Sequence, residues 1–414
     1  MTYENMKDSG IPWIGKIPCD WTTLRLKWIL SQPLQYGANE VGSVYDELLP
    51  RYIRITDITA DGKLKQTGMQ SLSEETANGY ILDNQDILFA RSGATVGKTF
   101  FYTSEYGRAA FAGYMIRAKI NARIALPKYV YYSTLGSGYD QWKDITLTQA
   151  TIQNIGANRY NDFALALPSL NIQSSIVSYL DRKCKTIDSI ICECQLSIED
   201  YRRWKASMIY QAVTKGLNLN ADMRESGIPW IGKIPVHWKI IPLKYLCSMQ
   251  AGKNLTSEEI AVVGDYPVYG GNGLRGFYTE FNNCGDFLLV GRQGALCGNV
   301  HKVSGKFWAT EHAVVTVPAY RAYFLFLYYL LIGMNLNQYA SNTAAQPGLS
   351  VSTVLNIRTV FPPIEEQRQI STWLDETVLK IDAIISEKES LIAELEAYKK
   401  SLIYETVTGK RKAE

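Results

Sequence analysis

The chain has 414 residues, of which 46% are apolar and 20% charged, and a formal net charge of +3. This composition indicates a folded protein of roughly two to four domains and excludes a disordered or fibrous chain. The small charge does not by itself indicate a nucleic-acid partner. The first 20 residues lack the apolar stretch of a signal peptide, so we expect a cytoplasmic protein.

Cysteine and histidine are distributed in a way that favours neither a disulfide framework nor a metal site. The seven cysteines are an odd number without a CxxC pair, and we expect them to be reduced. The three histidines, His237, His301 and His312, have no second ligand at metal-binding spacing. We expect no metal in this chain.

An internal repeat organises the sequence. Residues 6–18, MKDSGIPWIGKIP, recur at 223–235 as MRESGIPWIGKIP, with 11 of 13 positions identical. A second match joins residues 168–181 to 362–375 at an offset of 194. The stiff proline and broad tryptophan ring of the opening motif favour a structural role. The matches divide the chain into mixed segments 1–167 and 218–361 and helical segments 168–217 and 362–414.

The first mixed segment predicts a buried strand at residues 86–90 that enters a glycine loop. The loop Ser92-Gly-Ala-Thr-Val-Gly-Lys-Thr99 has three spacers where a phosphate-binding P-loop has four, so nucleotide binding is not expected. Arginine beside a tight glycine loop suits a DNA phosphate or a guanine edge. Arg91, Ser92 and Lys98 are therefore candidate DNA contacts, with a buried ion pair of Arg91 as the alternative.

A helix at residues 129–135 and a polar loop complete the first mixed segment. Amide and guanidinium groups in this loop suit base edges, although a solvated loop has the same composition. The candidate DNA contacts here are Gln149, Asn154, Asn158 and Arg159.

The second mixed segment repeats these features with other side chains. A strand is predicted at residues 287–290, a helix at 323–332, and a turn at 271–276, which matches GxGxxG without the context of a dinucleotide site. The pattern Arg-x-Gly-xxx-Gly recurs at residues 292–298, without the Lys and Thr of the first copy. The candidate DNA contacts are Arg275, Arg292, Gln293, His301, Asn342, Thr343 and Gln346.

Each helical segment predicts one long helix with an apolar seam. Side chains alternate at spacings of three and four in the last segment, a pattern typical of a coiled coil. The predicted seam is Ile370, Trp373, Thr377, Ile381, Ile384, Lys388, Leu391, Leu395, Tyr398 and Leu402, and residues 176–208 repeat it. The two segments carry net charges of +2 and −3, so we expect the helices to pair. Separate packing of each helix on its neighbouring domain is the alternative.

Sequence motifs for catalysis are missing. The only Pro-Pro, at residues 362–363, is not flanked as in the Pro-Pro-aromatic loop of an adenine methyltransferase, and no proline precedes an aspartate as in a PD-(D/E)xK nuclease. A catalytic role is therefore not indicated.

This organisation closely resembles the specificity subunit of Type I restriction-modification systems. Two different mixed segments alternate with two similar helices, each entered through Pro-x-x-x-x-Gln, at residues 168–173 and 362–367. The SGIPWIGKIPxxW openings, which end at Trp21 and Trp238, are also similar to that family. The resemblance covers nearly the whole chain. One departure is that the first helix begins Pro-Ser-Leu-Asn, without the Pro-Pro and paired acids of the second.

The resemblance implies an α+β fold with a pseudo-two-fold internal repeat. Segments 1–167 and 218–361 would be target recognition domains, and segments 168–217 and 362–414 conserved helical regions that form an antiparallel coiled coil. The chain would be a non-catalytic subunit that binds a bipartite target in double-stranded DNA. It would assemble with two methyltransferase subunits and, in a restricting complex, two restriction/translocase subunits. S-adenosylmethionine, ATP and Mg²⁺ would be bound by those partners and not by this chain.

Two alternatives belong to other functional classes. The chain could be a coiled-coil scaffold that reads no DNA, which a gel shift with the methyltransferase subunit would reveal. It could instead be an enzyme with an unrecognised active site, which the purified chain alone would reveal by methyl transfer or cleavage.

Overall fold

The computed structural model describes residues 5–59, 62–93, 95–148, 154–294, 296–341 and 348–413. The chain forms two compact units, a first unit of residues 1–194 and 390–414 and a second unit of residues 195–389. Each unit contains one mixed segment, the beginning of the long helix that follows it, and the end of the other long helix. The internal repeat of the sequence is thus also a repeat of structural composition.

The mixed part of the first unit contains twelve short strands and four α-helices among its described residues. The strands are β1 (Met6–Asp8), β2 (Lys16–Pro18), β3 (Thr22–Arg25), β4 (Gln35–Tyr36), β5 (Ser43–Val44), β6 (Arg51–Ile53), β7 (Gln70–Ser71), β8 (Ile87–Ala90), β9 (Thr99–Phe101), β10 (Ala109–Phe111), β11 (Met115–Ala118) and β12 (Ala164–Leu167). The helices are α1 (Glu74–Ala77), α2 (Pro127–Ser133), α3 (Ser137–Thr148) and α4 (Ala157–Asn161). The strands predicted at residues 86–90 and the helix predicted at 129–135 correspond to β8 and α2.

Two four-stranded sheets form the body of this segment, in the orders β10-β6-β7-β5 and β4-β11-β8-β9. In the second of these sheets β11 lies between β4 and β8, with Ile116 opposite both Tyr36 and Phe89. Apolar side chains on β8 and β11 are buried because both faces of this sheet are covered. Helices cover one face, and the apolar cluster of the first four-stranded sheet covers the opposite face.

The long helix α5 (Leu170–Lys215) follows, and the second unit continues with a further set of strands. They are β13 (Met223–Glu225), β14 (Lys233–Pro235), β15 (Lys239–Pro242), β16 (Cys247–Ala251), β17 (Tyr266–Gly270), β18 (Gly273–Tyr278), β19 (Asn283–Cys284), β20 (Phe287–Gly291), β21 (Val300–Val303), β22 (Lys306–Ala309), β23 (Ala313–Pro318) and β24 (Arg358–Phe361). The helices are α6 (Phe324–Gly333), α7 (Val351–Asn356) and the long α8 (Ile364–Val407).

The sheets of the second unit have the orders β18-β17-β22-β19 and β16-β23-β20-β21. The second order matches β4-β11-β8-β9 strand for strand, and both units contain one parallel pair, β6 with β10 and β17 with β22. The mixed segments therefore share the order of one four-stranded sheet, which their sequences did not reveal. The other sheet differs in its outer strand, because β5 lies beside β7 whereas β19 lies beside β22 of the parallel pair.

The opening motifs fold as antiparallel hairpins, β1 with β2 and β13 with β14. Trp21 and Trp238, which follow the hairpins, are 0% and 1% exposed. Tyr404 near the end of α8 donates its hydroxyl to the carbonyl of Ile14 at 3.1 Å, and Tyr210 near the end of α5 donates to Trp230 at 2.8 Å. Each hairpin thus fastens the end of one long helix to the mixed segment of its unit.

The two long helices pair in antiparallel orientation, as predicted. In the second unit Arg202 and Lys205 of α5 form ion pairs with Glu389 and Asp382 of α8, at 2.8 and 2.5 Å. The residue number in α8 falls as the residue number in α5 rises, which is the pattern of antiparallel helices. In the first unit Lys399 of α8 bonds Asp188 of α5 at 2.6 Å. These pairs are partly exposed, so each contributes about 1 kcal/mol at most and they mainly favour the alignment.

The predicted seam of α8 is correct at five of its ten positions and wrong by one residue at the other five. Leu374 and Ile385 are buried, whereas the predicted Trp373 is 39% exposed. The observed seam of α8 is Ile370, Leu374, Val378, Ile381, Ile385, Lys388, Ile392, Leu395, Lys399 and Leu402, and α5 repeats it at Ile176, Leu180, Cys184, Ile187, Ile191, Cys194, Ile198, Tyr201, Lys205 and Met208. Spacings of three and four in either order give a continuous stripe, and the sequence pattern did not decide which order packs.

Buried glutamines fix the beginning of each long helix. Gln173 is 0% exposed; its side chain accepts the N–H of Leu126, just before α2, at 2.8 Å and donates to the carbonyl of Pro168 at 2.9 Å. Gln367 is also 0% exposed and forms the same two bonds, with the residue before α6 and with the proline five positions earlier, both at 2.9 Å. The Pro-x-x-x-x-Gln motif is therefore a structural connection, and it is the same in both helices despite their different first residues.

The helix predicted at residues 323–332 corresponds to α6, and its apolar side chains are largely buried. Phe326, Leu327 and Leu330 of α6 are at most 1% exposed. No helix in the described part of the chain is both long and apolar enough to span a membrane.

Candidate nucleic-acid interface

In the first unit, strand β8 ends in the glycine loop that the sequence singled out. The N–H of Arg91 donates to the carbonyl of Tyr114 at 3.0 Å, and the carbonyl of Arg91 accepts the N–H of Ile155 at 2.8 Å. Buried hydroxyls of Tyr160 and Tyr139 donate to carbonyls at the two ends of the loop, at 3.0 and 2.9 Å. Four hydrogen bonds therefore fix the backbone from which the Arg91 side chain projects.

The loop connects two antiparallel strands, β8 and β9, of one sheet. A phosphate-binding P-loop instead connects a strand to a helix, whose N-terminus contributes to anion binding. The topology therefore agrees with the spacing of the glycines, and neither indicates a nucleotide site.

The side chain of Arg91 packs on an aromatic ring. Its guanidinium carbon lies 4.9 Å from the ring centroid of Tyr36, and Tyr36 is 41% exposed. Arg91 Nε is buried without a hydrogen-bond partner, and no described acidic residue forms an ion pair with Arg91. The alternative of a buried ion pair is therefore not supported, and the planar guanidinium is oriented by stacking.

Several predicted residues of the first unit converge on this arginine. Ser92 pairs with Asn154 in an isolated antiparallel bridge, and Asn154 Oδ1 is buried without a partner in the described residues. Asn158 and Arg159 are exposed on α4, whose first N–H donates to the hydroxyl of Tyr36 at 3.0 Å. The glycine loop, the strand preceding α4 and α4 itself thus form one surface around Tyr36.

Lys98 lies on the other side of the loop, where its ammonium group is engaged with backbone. Nζ donates to the carbonyls of Ile58 at 3.0 Å and Thr59 at 2.6 Å. Lys98 therefore holds the neighbouring turn, and its contact with DNA stays a prediction.

The second unit builds its glycine loop in the same way. The N–H of Arg292 donates to the carbonyl of His312 at 2.9 Å, and its carbonyl accepts the N–H of Leu349 at 2.9 Å. Gln293 pairs with Gly348 in an antiparallel bridge, as Ser92 does in the first unit. No described acidic residue forms an ion pair with Arg292. The two loops have one backbone design and different side chains.

The turn predicted at residues 271–276 is shorter in the structure, where Gly271 and Asn272 connect the hairpin β17–β18 and residues 273–276 belong to β18. A Cβ atom on Gly271 would lie 3.0 Å from the carbonyl oxygen of His312, so this turn packs against the glycine loop. Arg275 is exposed on β18 and donates to the hydroxyl of Ser257 at 3.2 Å.

His301 lies on β21 beside the same turn, with Nε2 buried and without a described partner. Burial lowers the pKa of His301 below its ordinary value of 6.5. The imidazole is therefore neutral near pH 7, so it can offer one donor or one acceptor and no positive charge.

Four predicted contacts lie outside the described residues. They are Gln149, Asn342, Thr343 and Gln346. Their contacts with DNA stay predictions.

The sequence did not point to Tyr36 or Tyr114. Both are exposed aromatic residues beside Arg91, at 41% and 67%. Gly37, the residue after Tyr36, was the available sign in the sequence. In the structure a Cβ at this position would lie 2.3 Å from the carbonyl oxygen of Phe111, so the position requires glycine. A tyrosine next to an obligatory glycine marks a close approach of two strands, but only the fold brings it to Arg91.

The polar groups of these loops suit contacts with DNA. In the parts of the chain that are described, no three His, Cys, Asp or Glu residues are grouped so that they could hold a metal ion. Guanidinium, amide and hydroxyl groups on exposed loops are the groups that proteins use on DNA phosphates and base edges.

Comparisons with known proteins agree with this assignment. The profile of the family described as "Type I restriction modification DNA specificity domain" matches residues 43–193 and 235–397. The chain is 28% identical over 336 residues to the specificity subunit of the Type I restriction enzyme EcoprrI from Escherichia coli, covering 78% of this chain and 79% of that protein. It is 23% identical over 432 aligned positions to the MjaVIII specificity subunit from Methanocaldococcus jannaschii, covering 95% and 94%.

The fold is also similar to a solved structure. That structure comes from work on complex assembly and conformational transition of the type I R-M system. The TM-score is 0.72 at 14% sequence identity, and the alignment covers 95% of this chain and 99% of the other. At this identity the likeness concerns the fold.

Proposed function

Because the chain belongs to the family of Type I restriction-modification DNA specificity subunits, we propose that its two mixed segments each read one half of a bipartite DNA target. The chain itself performs no chemistry. It binds a selected DNA sequence and so brings partner subunits to that sequence. Those partners methylate adenine there and, where a nuclease is present, restrict the DNA.

One observation supports this proposal above the others. Each unit holds an arginine-glycine loop with the same backbone hydrogen bonds, but in the first loop Ser92 follows an arginine that lies over the ring of Tyr36, and the second loop carries Gln293. Loops with the same backbone and different polar side chains are expected of two mixed segments that recognise different base sequences. The reason is that base edges differ in their donor and acceptor patterns. A scaffold for proteins alone has no need of this combination.

The helix pair supports the bipartite character of the target. Antiparallel helices with a regular seam are stiff, and two readers attached to them would contact the duplex at a set spacing, with unread base pairs between the half-sites. Fixed spacing is the property by which such a target differs from two independent sites.

Partners and cofactors follow from the same assignment. We propose two methyltransferase subunits and, in a restricting complex, two restriction/translocase subunits, all acting in the cytoplasm. S-adenosylmethionine, ATP and Mg²⁺ are bound by those subunits. Many phosphate contacts are made by the partners as well, which is consistent with a net charge of only +3 on this chain.

The test is to co-express the chain with its methyltransferase subunit in cells that lack adenine methylation and to map N6-methyladenine. We expect one motif of two short half-sites with a spacer of constant length. A continuous motif, or methylation without sequence preference, would contradict the proposal. The purified chain alone should transfer no methyl group and cleave no DNA.

A further inference from the structure

Tyr36 has contacts in two directions, and both lead to groups suited to DNA. Its ring lies under the guanidinium of Arg91 at 4.9 Å, and its hydroxyl accepts the N–H of Ala157 at 3.0 Å. Ala157 is the first residue of α4, which presents Asn158 and Arg159 to solvent. One side chain thus touches the base of both the glycine loop and the helix.

The orientation of Arg91 depends on this ring. No described carboxylate pairs with the guanidinium, and Nε is buried without a partner. A flexible arginine without a partner would occupy several rotamers, whereas stacking on a tyrosine limits the plane of the guanidinium and leaves its edge for a bidentate contact.

We propose that Tyr36 is a positioning residue that sets the base preference of the first half-site, by holding Arg91 and the N-terminus of α4 in one surface. This inference rests on the proposed function, because it concerns how one of the two readers selects its bases. Tyr36 acts through Arg91 and α4 and makes no base contact of its own in this account.

The second unit lacks this device and so provides an internal control. Tyr36 pairs with Ile116 across the sheet, and Ala251 pairs with Val314 at the corresponding position. The glycines that follow confirm the alignment, since a Cβ on Gly252 would lie 2.3 Å from a carbonyl oxygen, as it would on Gly37. Ala251 provides no ring beneath Arg292, so Arg292 does not depend on such stacking. A loss of stacking in the first unit should therefore leave the second half-site unchanged.

The experiment maps N6-methyladenine in cells that express the methyltransferase subunit with wild-type chain, Tyr36→Leu, Tyr36→Phe, Arg91→Ala or Tyr36→Leu/Arg91→Ala. Discrimination is the methylated fraction at the correct base divided by that at the next best base, for each position of the motif. We expect Tyr36→Leu to lower discrimination about 10-fold at the positions that Arg91→Ala affects, which corresponds to the loss of one specific base contact. The second half-site should keep wild-type discrimination.

Two comparisons separate positioning from a general structural role. Tyr36→Phe keeps the ring, so discrimination at the Arg91-dependent positions should stay within about 3-fold of wild type. At the Arg91-dependent positions the double variant should equal Arg91→Ala alone, because Tyr36 acts on those positions through Arg91 and has no further effect there once Arg91 is gone. If Tyr36→Leu and Tyr36→Phe both lower methylation of all motif variants equally, or if neither changes the motif, the inference is wrong.

The wild-type arm distinguishes this inference from the function on which it rests. If the wild-type chain gives no bipartite motif, the proposed function fails. If the wild type gives such a motif and the Tyr36→Leu motif is identical to it, only the role of Tyr36 fails. Tyr36 is 41% exposed, and Tyr36→Met serves as a second variant if Tyr36→Leu does not fold.

Discussion

The two units have one sheet order in common but bury different side chains in that sheet. In the first unit Asp86 and Arg117 are buried at 3% and 7% exposure and their charged groups lie 3.7 Å apart. Strand register places Phe287 and Val315 at the corresponding positions of the second unit, where both belong to an apolar cluster. One sheet order thus accepts either a buried ion pair or apolar side chains.

Beyond this sheet order, the units share contacts at the helix starts and at one close approach of strands, and they differ in the side chains within the sheets and on their rims. Gln173 and Gln367 make identical bonds, and Gly37 and Gly252 allow the same close approach of strands. Side chains beside the glycine loops differ, as Tyr36 and Ala251 illustrate. This division is expected if selection preserves the frame and varies the reading surface, and the following experiments test it.

The largest effect on stability should come from the seam of the long helices. Leu180 and Leu374 occupy equivalent positions at 0% exposure, so Leu180→Ala and Leu374→Ala should each lower the free energy of unfolding by about 2–5 kcal/mol. Denaturant unfolding measures both values. Trp373→Ala is the matched control, with an expected loss near 1 kcal/mol because the indole is 39% exposed. A larger loss of unfolding free energy for Trp373→Ala than for Leu374→Ala would support the seam predicted from sequence and contradict the observed one.

A pH dependence should distinguish the interiors of the two units. Burial raises the pKa of Asp86 from 3.8 to about 6, against the opposing charge of Arg117. The folded state therefore favours the protonated carboxyl, and this contribution to stability is complete below pH 3.8 and lost as the pH rises through about 6. The loss amounts to about 3 kcal/mol.

The measurement is the free energy of unfolding of Asp86→Asn minus that of wild type, from pH 4 to pH 7. We expect this difference to shift in favour of the variant as the pH rises, because Asn keeps the neutral form. A difference that is constant over this range would mean that Asp86 does not carry the raised pKa. The second unit has Phe287 at this place and contributes no such term.

Smaller and equal effects are expected from the two buried glutamines. Gln173→Met and Gln367→Met each leave a backbone N–H and a carbonyl without their partner, which should cost about 1–3 kcal/mol. Gln369→Met is the control, since Gln369 is exposed on the same helix and should change stability by about 0.5 kcal/mol or less. Unequal losses for the two buried positions would show that the helix starts are not equivalent.

Much of the frame was predictable from local pattern. The repeated motif, the long helices and the strands β8 and β20 follow from periodicity and from turn residues. Arg91 and Arg292 were singled out because the pattern Arg-x-Gly-xxx-Gly occurs in both mixed segments. The pairing of Ser92 with Asn154 was not predictable, since it joins residues far apart in the chain.

The errors have equally physical causes. The seam was misplaced at Trp373 because a large apolar side chain outweighs Leu374 in a pattern count, although geometry puts the leucine inside. Tyr36 was missed because its importance comes from Arg91 and α4, which approach it only in the folded sheet. Long-range contacts of this kind depend on strand register, which the sequence of one chain does not determine.

The central claim is that each unit reads its own half of a divided target, and paired arginine variants test it most directly. Arg91→Ala and Arg292→Ala are compared with wild type by mapping N6-methyladenine in the same host. We expect Arg91→Ala to relax positions in one half-site only and Arg292→Ala to relax positions in the other only, each by about 10-fold in discrimination, with the spacer unchanged. Relaxation of the same half-site by both variants, or of both half-sites by either one, would contradict the claim.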